Sequence, residues 1–337
     1  MASPKPLALT MGEPAGIGGE VALNAWAGRS DVTAPFFVID DPGRLADLSR
    51  QIGAMTAIKI IQSPSEAIAV FDSALPVMGI ALPVEAVPGE PDPANASAVL
   101  SSIETAVRLV MSGEAGAVVT NPVHKQTLYE ADFPHPGHTE FLAALSGDDI
   151  VPVMMLAAGG FRVVPVTVHQ SLAEALKSLN TGAITQAGLI TAEALKRDFG
   201  IPNPRIAVAG LNPHAGEGGA LGSEEDQIIA PAVSALTEVG IDAFGPVAPD
   251  TLFTSQARNG YDAALCMYHD QALIPIKTVA FETAVNITLG LPFVRTSPDH
   301  GTAFDIAGTG KADETSLVAA LNMAAEMIRH RATAQAA

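Results

Sequence analysis

Short apolar segments alternate with helix-forming segments along this chain of 337 residues, and this alternation restricts the possible folds more than any other feature. Residues 7–11, 205–209 and 263–267 have the apolar character of buried strands, whereas residues 96–111 and 181–199 have the length and pattern of helices. Strands that are separated by helices pair in parallel through crossover connections. The sequence therefore predicts an α/β protein with a largely parallel sheet.

The composition excludes some classes of protein. Hydrophobic residues make up 48% of the chain and charged residues 16%, which is typical of a globular protein and not of a disordered one. The net charge is −18, from 36 acidic and 18 basic residues, and no run of Lys and Arg is present. Because nucleic-acid binding needs a basic face, we expect no nucleic-acid partner. An anionic substrate would have to meet a few locally placed cations.

The single cysteine and the hydropathy pattern indicate the environment of the chain. One cysteine, Cys266, excludes a disulfide framework and a CxxC metal site, and its apolar surroundings favour a buried, inert thiol over a nucleophile. The first residues lack the pattern of a secretory signal, and no apolar run is long enough to cross a bilayer. We expect a cytoplasmic protein without a membrane partner.

A glycine-rich loop at residues 12–19 imitates a dinucleotide-binding fingerprint. It lies between a predicted strand and a predicted helix, and Asp40 ends the next strand. However, Val21 stands where the third glycine of the fingerprint would fall, and Pro14 lies inside the loop. The pattern favours a turn that shapes the edge of a cleft over a Rossmann site.

Three of the eight histidines follow predicted strands: His169, His214 and His269. The carboxyl ends of parallel strands meet at one edge of a sheet, so these imidazoles could converge on a divalent metal ion. The alternative is that they are scattered loop histidines. Asp270 could orient His269, or it could be an ordinary surface charge.

Residues 266–313 concentrate polar side chains: His269 and Asp270, then Lys277, Asn286 and Arg295, followed by two glycine-bearing loops. Few apolar strands are expected between them, so most of these side chains lack a packing role. The segment is therefore a candidate part of an active site.

Several motifs resemble one known family over nearly the whole chain. They are TMGEPAGIGGE at 10–20, TNPVHK at 120–125, GHTEFL at 137–142, GLNPHAGEGG at 210–219 and PDTLF at 249–253. This set is similar to the 4-hydroxythreonine-4-phosphate dehydrogenase family of vitamin B6 biosynthesis. Gly19 stands where we expect proline in that family, and Asn121 where glycine also occurs; neither change removes a polar contact.

The resemblance implies an architecture and an assembly. The expected fold is isocitrate/isopropylmalate dehydrogenase-like, with two α/β/α domains around a central cleft. Residues 1–135 with 300–337 would form the domain that carries the cofactor loop, and residues 136–299 the domain with most of the metal and substrate site. The family is a homodimer whose active site lies at the subunit interface.

The resemblance also implies a set of site residues. The expected metal ligands are His169, His214 and His269, the same three histidines that follow predicted strands. The expected substrate-binding residues are His138, Thr139, Lys277, Asn286 and Arg295. Arg295 offers a bidentate fork and Lys277 a point charge for the anionic groups of the substrate, although both could be surface cations.

The implied reaction is oxidation of the C3 hydroxyl of 4-phosphooxy-L-threonine by NAD or NADP, followed by decarboxylation to 3-amino-2-oxopropyl phosphate. A divalent metal, zinc, magnesium or cobalt, would act as a Lewis acid. Relatives of the family oxidise D-threonate or D-erythronate 4-phosphate, or an aromatic dihydrodiol. A phosphometabolite-binding module without catalysis is the rival from another functional class.

Two assignments stay open at this level. The acceptor of the hydroxyl proton is Lys277 or Asp250, with Lys277 favoured and His138 left to serve the phosphate. Residues 298–308 resemble the adenosine-binding loop of isopropylmalate dehydrogenases, which makes four residues candidates for cofactor binding: His300, Gly301, Ala303 and Asp305. A purely structural turn is the alternative.

Overall fold

The computed structural model describes residues 5–32, 34–135, 137–147 and 149–336, and the chain divides into two compact units. Unit 1 comprises Met1–Pro152 and Leu291–Arg329, and unit 2 comprises Val153–Gly290 and His330–Ala337. No helix in these described ranges combines the length and the apolar character that crossing a bilayer requires.

Strands and helices alternate as the sequence predicts. The strands are β1 (Leu7–Thr10), β2 (Phe36–Asp40), β3 (Ile58–Ile61), β4 (Leu75–Gly79), β5 (Val118–Val119), β6 (Val153–Ala158), β7 (Phe161–Pro165), β8 (Arg205–Ala209), β9 (Asp242–Val247), β10 (Ala263–Cys266), β11 (Val285–Leu289) and β12 (Arg295–Pro298).

The helices are α1 (Gly18–Ala27), α2 (Pro42–Gln51), α3 (Pro64–Val70), α4 (Ala96–Met111), α5 (Lys125–Glu130), α6 (His138–Ser146), α7 (Leu172–Ser178), α8 (Thr181–Phe199), α9 (Ala230–Glu238), α10 (Pro249–Leu252), α11 (His269–Ala280) and α12 (Thr315–Ala336). Short 3₁₀ segments occupy Arg29–Asp31, Pro93–Asn95, Pro213–Gly219 and Ala257–Gly260, and a π-helical turn, Glu225–Ile229, precedes α9.

Unit 1 contains parallel strands in the order β3-β4-β2-β1-β5-β12. Every residue of β1 and β2 is buried, as expected for central strands of a parallel sheet with both faces covered. The buried Ser102 of α4 links the ends of these two strands, because its Oγ accepts from the N–H of Met11 at 3.0 Å and donates to the carbonyl of Ile39 at 2.7 Å.

Unit 2 contains strands in the order β11-β6-β7-β10-β8-β9. Strand β6 runs antiparallel to β11 and β7, whereas β7, β10, β8 and β9 pair in parallel. The carboxyl ends of β7, β10 and β8 therefore lie at one edge of this sheet, which is where the three histidines of the predicted metal site follow. The α/β class is confirmed.

The boundaries between the units differ from the predicted positions at 135/136 and 299/300. Helix α6 belongs to unit 1 because Phe141 and Leu142 are buried in the same apolar cluster as Phe133. Strand β12 belongs there as well, because Arg295 pairs with Val118 of β5. These contacts join residues far apart in sequence, so no local pattern reveals them.

The expectation of few strands between residues 266 and 313 is wrong. Helix α11 and strands β11 and β12 occupy most of this segment, so much of its polar content is carried by regular structure. Pro275 lies inside α11. Because proline in a helix interior removes a backbone hydrogen bond, its presence in the sequence argues against a helix at this position.

Candidate active site

His169 and His269 are neighbours at the ends of β7 and β10. Their ring centroids lie 6.3 Å apart with an interplanar angle of 40°. The two strands pair in parallel, with Pro165 opposite Cys266, and the hydroxyl of Thr167 donates to the carbonyl of Met267 at 2.8 Å. Strand pairing and one side-chain bond thus hold the two imidazoles next to each other.

Asp270 contacts His269 directly, since its Oδ1 lies 2.7 Å from Nδ1 of the ring. In a neutral imidazole whose Nδ1 donates to this carboxylate, Nε2 carries the lone pair that a metal ion would need. Together with Thr167, His169 and Tyr268, these two residues border a pocket of about 260 Å³. The predicted orienting role of Asp270 therefore has a geometric basis in unit 2.

His214 lies in an unusual loop after β8. Residues 214–218 all have left-handed backbone angles, including φ of +53° at His214, +51° at Ala215 and +45° at Glu217. This backbone conformation costs free energy for non-glycine residues. It persists only where contacts with the surrounding structure stabilise it. Gly216 and Gly218 relieve part of the strain within the run.

The surroundings that fix the His214 loop centre on Glu225. Its buried carboxylate accepts the N–H groups of Leu211 at 2.8 Å and Asn212 at 2.7 Å, and the side-chain amide of Asn212 at 2.9 Å. Burial raises the pKa of Glu225, but these hydrogen bonds outweigh it and hold the pKa below its usual value. Glu225 is therefore ionised at neutral pH and braces the loop.

Gln271 connects the β10 end to the β8 end. Its Oε1 accepts from the N–H of Met267 at 2.6 Å, and its Nε2 donates to the carbonyl of Gly210 at 2.7 Å. Only 6% of Gln271 is exposed, so both bonds are shielded from water. Sequence reasoning missed this residue, although a glutamine two positions after a candidate ligand in an apolar segment was a signal.

The chain brings together two of the three predicted metal ligands. Within the described residues, no group of three or more His, Cys, Asp or Glu side chains is arranged to hold a metal ion. Two imidazoles on one tetrahedral metal would have ring centroids about 5 Å apart. The ring centroids of His169 and His269 are somewhat farther apart than this, and His214 is not grouped with them within the described residues.

Lys277 shares a face of α11 with His269 and Leu273, because residues four and eight positions apart in a helix point the same way. These three side chains border a shallow pocket of about 450 Å³. Lys277 is half-buried, and its Nζ lies 5.9 Å from the centre of the Phe281 ring. The lysine is therefore two helical turns from the His169–His269 pair.

The other predicted residues of unit 2 lie on separate elements. Asn286 is half-buried on β11, opposite Leu156 of β6. Asp250 is exposed on the short helix α10, which packs against the Pro213–Gly219 segment. Asp250 is therefore a neighbour of the His214 loop in this chain.

In unit 1, the buried Arg295 lies near His138, which is half-buried. Arg295 is 5% exposed, its Nη2 donates to the hydroxyl of Thr120 at 2.7 Å, and burial lowers its pKa to about 10. His138 is the first residue of α6, with Thr139 next to it. Burial, followed by the positive charges of Arg295 and Lys125, holds the pKa of His138 well below its usual value, so the imidazole is neutral at neutral pH.

The Nε2 atom of His138 is buried and has no hydrogen-bond partner within the described residues. A buried polar atom without a partner costs free energy, and such atoms in native proteins commonly face a ligand or water. The N-cap residue of α6 is Gly137, which has no side chain to cap the helix, and this leaves backbone N–H groups for an acceptor. These features fit an anionic group such as phosphate.

The predicted cofactor loop packs against the glycine-rich loop of residues 12–19. The carbonyl of Thr302 accepts from the N–H of Ile17 at 3.0 Å. Ala303 adopts a left-handed conformation, and Nδ1 of His300 lies 2.9 Å from the carbonyl of Gly301. Asp305 is exposed. The two loops, considered separately in the sequence, are thus one assembly within unit 1.

A pocket of about 460 Å³ lies beside these loops, bordered by Pro14, Gly16, Arg44 and Gly308 among others. The N–H of Gly308 donates to Glu20 at 3.0 Å, and its carbonyl accepts from Gln51 at 3.0 Å. This size fits part of a dinucleotide, because small-molecule sites commonly span several hundred Å³.

The geometry also excludes a Rossmann site at Asp40. Its side chain is fully buried, and Oδ2 lies 2.5 Å from Nη2 of Arg44. Burial raises the pKa of Asp40, while Arg44 opposes this effect. Gly12 has φ of +69°, and a Cβ there would lie 2.6 Å from the carbonyl oxygen of Pro122. Position 12 therefore needs glycine, both for its left-handed backbone and for the close approach of Pro122.

Cys266 is completely buried, and burial raises the pKa of its thiol well above its usual value. A thiol in this environment stays protonated and unreactive. The prediction of an inert buried cysteine agrees with this position in β10.

Comparison with known proteins decides the family. The family model described as "Pyridoxal phosphate biosynthetic protein PdxA" matches residues 32–324. The chain belongs to this family. Its PdxA relatives include the 4-hydroxythreonine-4-phosphate dehydrogenase of Bradyrhizobium diazoefficiens, which is 54% identical over 335 residues covering 96% of this chain and 97% of the relative.

Solved structures agree with the PdxA assignment. A crystal structure of 4-hydroxythreonine-4-phosphate dehydrogenase from Klebsiella pneumoniae has a TM-score of 0.87 and 39% identity, covering 96% of this chain and 99% of that one. A terephthalate 1,2-cis-dihydrodiol dehydrogenase from Burkholderia xenovorans has a lower TM-score of 0.65 and 30% identity, covering 96% and 98%. The family resemblance found in the motifs is confirmed.

Proposed function

We propose that this PdxA-family chain is a dehydrogenase that oxidises the C3 hydroxyl of 4-phosphooxy-L-threonine with a nicotinamide cofactor. The observation that carries the proposal is the proximity of the buried Arg295 to the buried Nε2 of His138, which fits a phosphate group, in a chain 54% identical to a relative named for this activity. The dihydrodiol dehydrogenase is a more distant relative, and its named substrate carries no phosphate.

The residues divide the work on the substrate. Arg295 binds the phosphate through charge-assisted hydrogen bonds, with the N–H groups at the start of α6, next to Thr139, as further donors. His138 stays neutral and contributes its Nε2, which has no hydrogen-bond partner within the described residues, to the same group. Asn286 supplies an amide for the polar groups of the substrate.

Lys277 is the proposed acceptor of the hydroxyl proton. It lies on the same face of α11 as His269, whereas Asp250 is exposed on α10 beside the His214 loop. As hydride leaves C3, the proton of its hydroxyl passes to the Lys277 amine, and a ketone forms. The resulting β-keto acid then loses carbon dioxide. The electron pair of the broken carbon–carbon bond moves towards the ketone to form an enol, and protonation of the enol at carbon gives the product ketone.

The cofactor and the metal are part of the proposal. NAD or NADP would accept the hydride, and a divalent zinc, magnesium or cobalt ion would lower the pKa of the hydroxyl as a Lewis acid. The loop carrying His300, Gly301, Ala303 and Asp305 would hold the cofactor, supported by the adjoining pocket of about 460 Å³. His169, His269 and His214 would hold the metal.

A homodimer accounts for the incomplete metal site. Helix α11 carries large apolar side chains that are exposed in this chain: Ile274 at 64%, Val279 at 55% and, just past its end, Phe281 at 73%. Such a patch next to His269 and Lys277 is typical of a covered interface. A second copy of the chain would bury it and would allow histidines of both chains to complete one metal site.

Assays with different substrates distinguish the proposed dehydrogenase from a sister activity on sugar acids and from a binding module without catalysis. Purified protein is assayed with 4-phosphooxy-L-threonine, D-threonate 4-phosphate and D-erythronate 4-phosphate, following reduced nicotinamide with and without a chelator. Turnover of the first substrate that a chelator abolishes supports the proposal. Turnover of only the sugar acids would assign the chain to the sister activity, and absence of all turnover would favour a binding module.

A further inference from the structure

We infer that Glu20 is a positioning residue for the nicotinamide cofactor, because its carboxylate fixes the end of the loop that would hold this cofactor. Glu20 is the last residue of the TMGEPAGIGGE motif and lies in the first turn of α1. The reaction proposed above uses none of its atoms. The inference rests on the proposed function, since that proposal places the cofactor at the loop of residues 298–308.

The proposed cofactor loop and the residues after it have no regular element of their own. Residues 301–314 form turns and irregular segments without a helix or a strand. Ala303 has φ of +45°, and Gly308 and Gly310 have φ of +72° and +76°. The backbone of Ala303 is therefore strained, and neighbouring contacts must hold it. The order of this segment depends on contacts with other elements of unit 1.

Glu20 supplies two of these contacts. Its side chain is fully buried, its Oε2 accepts from the N–H of Gly308 at 3.0 Å, and its Oε1 accepts from the N–H of Ala312 at 2.9 Å. A buried carboxylate costs free energy unless hydrogen bonds compensate it. The hydrogen bonds that compensate Glu20 within the described residues come from backbone N–H groups of the loop segment and not from a cationic side chain.

The chain around Glu20 adds further contacts to the same segment. Directly before α1, the N–H of Ile17 donates to the carbonyl of Thr302 at 3.0 Å. One turn after Glu20, the side-chain amide of Asn24 donates to the carbonyl of Ala312 at 3.1 Å. Most residues of α1 are buried, so this helix is a fixed support for the loop.

Gly308 connects Glu20 to the proposed cofactor pocket. It borders the pocket of about 460 Å³, and its carbonyl accepts from Nε2 of Gln51 at 3.0 Å. A Cβ at Gly308 would lie 2.8 Å from that Nε2 and from Cβ of Pro88, so the backbone is closely packed here. Glu20 thus fixes a part of the pocket wall. Order that exists before the ligand arrives lowers the free-energy cost of binding.

The alternative is that Glu20 stabilises the fold without affecting the cofactor. The test compares Glu20→Gln and Asn24→Ala with the control Trp26→Phe. A glutamine amide has one acceptor oxygen where a carboxylate has two, so Glu20→Gln loses a backbone contact at nearly unchanged volume. Trp26 lies on the same helix, but its Nε1 donates to the carbonyl of Phe71 at 2.8 Å, outside the loop.

Each full-length variant is titrated with NADH and with NADPH by calorimetry, and amide hydrogen exchange at residues 308–312 is followed by mass spectrometry. The apparent affinity falls with the fraction of molecules in which the loop is ordered, so Glu20→Gln should raise the cofactor Kd about tenfold. Exchange at these residues should accelerate. The KM for the cofactor should rise by a similar factor, whereas kcat and the KM for 4-phosphooxy-L-threonine at saturating cofactor should stay nearly unchanged.

Asn24→Ala should change the cofactor Kd in the same direction by a smaller factor. Trp26→Phe should lower the stability to urea and leave the Kd unchanged. An unchanged Kd in Glu20→Gln would overturn the inference, even if that variant is less stable. An equal rise of Kd in Trp26→Phe would also overturn it, because general destabilisation would then be the cause. If Glu20→Gln does not fold, the Kd of Asn24→Ala decides in the same way.

Failure of this inference and failure of the proposed function give different results. If the unaltered protein binds NADH or NADPH and Glu20→Gln weakens this binding, but none of the phosphorylated substrates is turned over, the proposed function fails and the role of Glu20 stands. If 4-phosphooxy-L-threonine is turned over and Glu20→Gln keeps the Kd of the unaltered protein, the function stands and the role of Glu20 fails. If neither nicotinamide is bound, both fail.

Discussion

The Nη2 of Arg295 donates a hydrogen bond to the hydroxyl of Thr120 over 2.7 Å in the buried interior of unit 1. Arg295 is the first residue of β12, and Thr120 directly follows β5. These two strands pair in parallel. The bond fixes the direction of the guanidinium before any ligand arrives, so Arg295 is pre-oriented rather than mobile. This relationship makes Arg295 the most direct target for mutation.

Arg295→Lys should raise KM about 10- to 100-fold, because a point charge cannot replace two directed hydrogen bonds to an anion, each worth about 1.5–3 kcal/mol. Steady-state kinetics with 4-phosphooxy-L-threonine measure the effect. Arg108→Lys is the control, since Arg108 is exposed on α4. A KM unchanged from that of the parent protein would remove Arg295 from the substrate site.

His214→Ala should abolish metal binding and activity without unfolding the protein. The loop is held by Glu225 and Asn212 and not by the imidazole, so its conformation survives the substitution. Metal content by elemental analysis and thermal unfolding by circular dichroism measure the two effects. Retained metal stoichiometry would show that the three-histidine assignment is wrong, and His330→Gln controls for loss of a histidine elsewhere.

Gln271→Leu should lower the free energy of unfolding by about 2–4 kcal/mol, because two buried backbone groups would lose their partners. The affected groups are the N–H of Met267 and the carbonyl of Gly210. Urea denaturation measures the change, with Gln126→Leu as the exposed control on α5. Equal stability of the two variants would mean that water replaces both bonds.

His138 should contribute to the pH dependence of stability. Its pKa in the folded protein lies well below the unfolded value of about 6.5, so the unfolded chain binds a proton that the folded chain does not. The stability attributable to neutral His138 is therefore complete above pH of about 6.5 and is lost as the pH falls towards the folded pKa.

Comparison of the parent protein with His138→Asn isolates this contribution. As the pH is lowered from about 8 to about 5, urea denaturation should show a steeper loss of stability in the parent protein than in the variant. Parallel curves would mean that the imidazole titrates normally in the folded state.

Local signals made parts of the fold predictable from the sequence. Helix α8 has the predicted bounds because Asn180 caps its start, accepting from the N–H of Ala183 at 2.9 Å, and Gly200 ends it with φ of +66°. Strand β8 and helix α4 also match. In each case the information lies within a few residues of the element.

The remaining features depend on contacts between distant residues. The bond between Arg295 and Thr120 spans 175 positions, and that between Gln271 and Gly210 spans 61. No periodicity encodes such pairs, so local patterns reveal neither the boundaries of the two units nor the contacts of Gln271. Because the carboxyl ends of parallel strands meet at one edge of a sheet, the sequence predicts that His169 and His269 lie close together. The same argument contains no information about the left-handed loop that carries His214.

The hydrogen bonds of Thr167 and Gln271 join the ends of β7, β10 and β8 through protein atoms alone. Because these bonds involve protein atoms alone, we expect the local order of unit 2 to survive removal of the proposed metal ion, unlike that of small domains that unfold when their zinc is withdrawn. Prolonged dialysis against a chelator should consequently yield an inactive apoprotein that refills rapidly and resists proteases as well as the loaded form does.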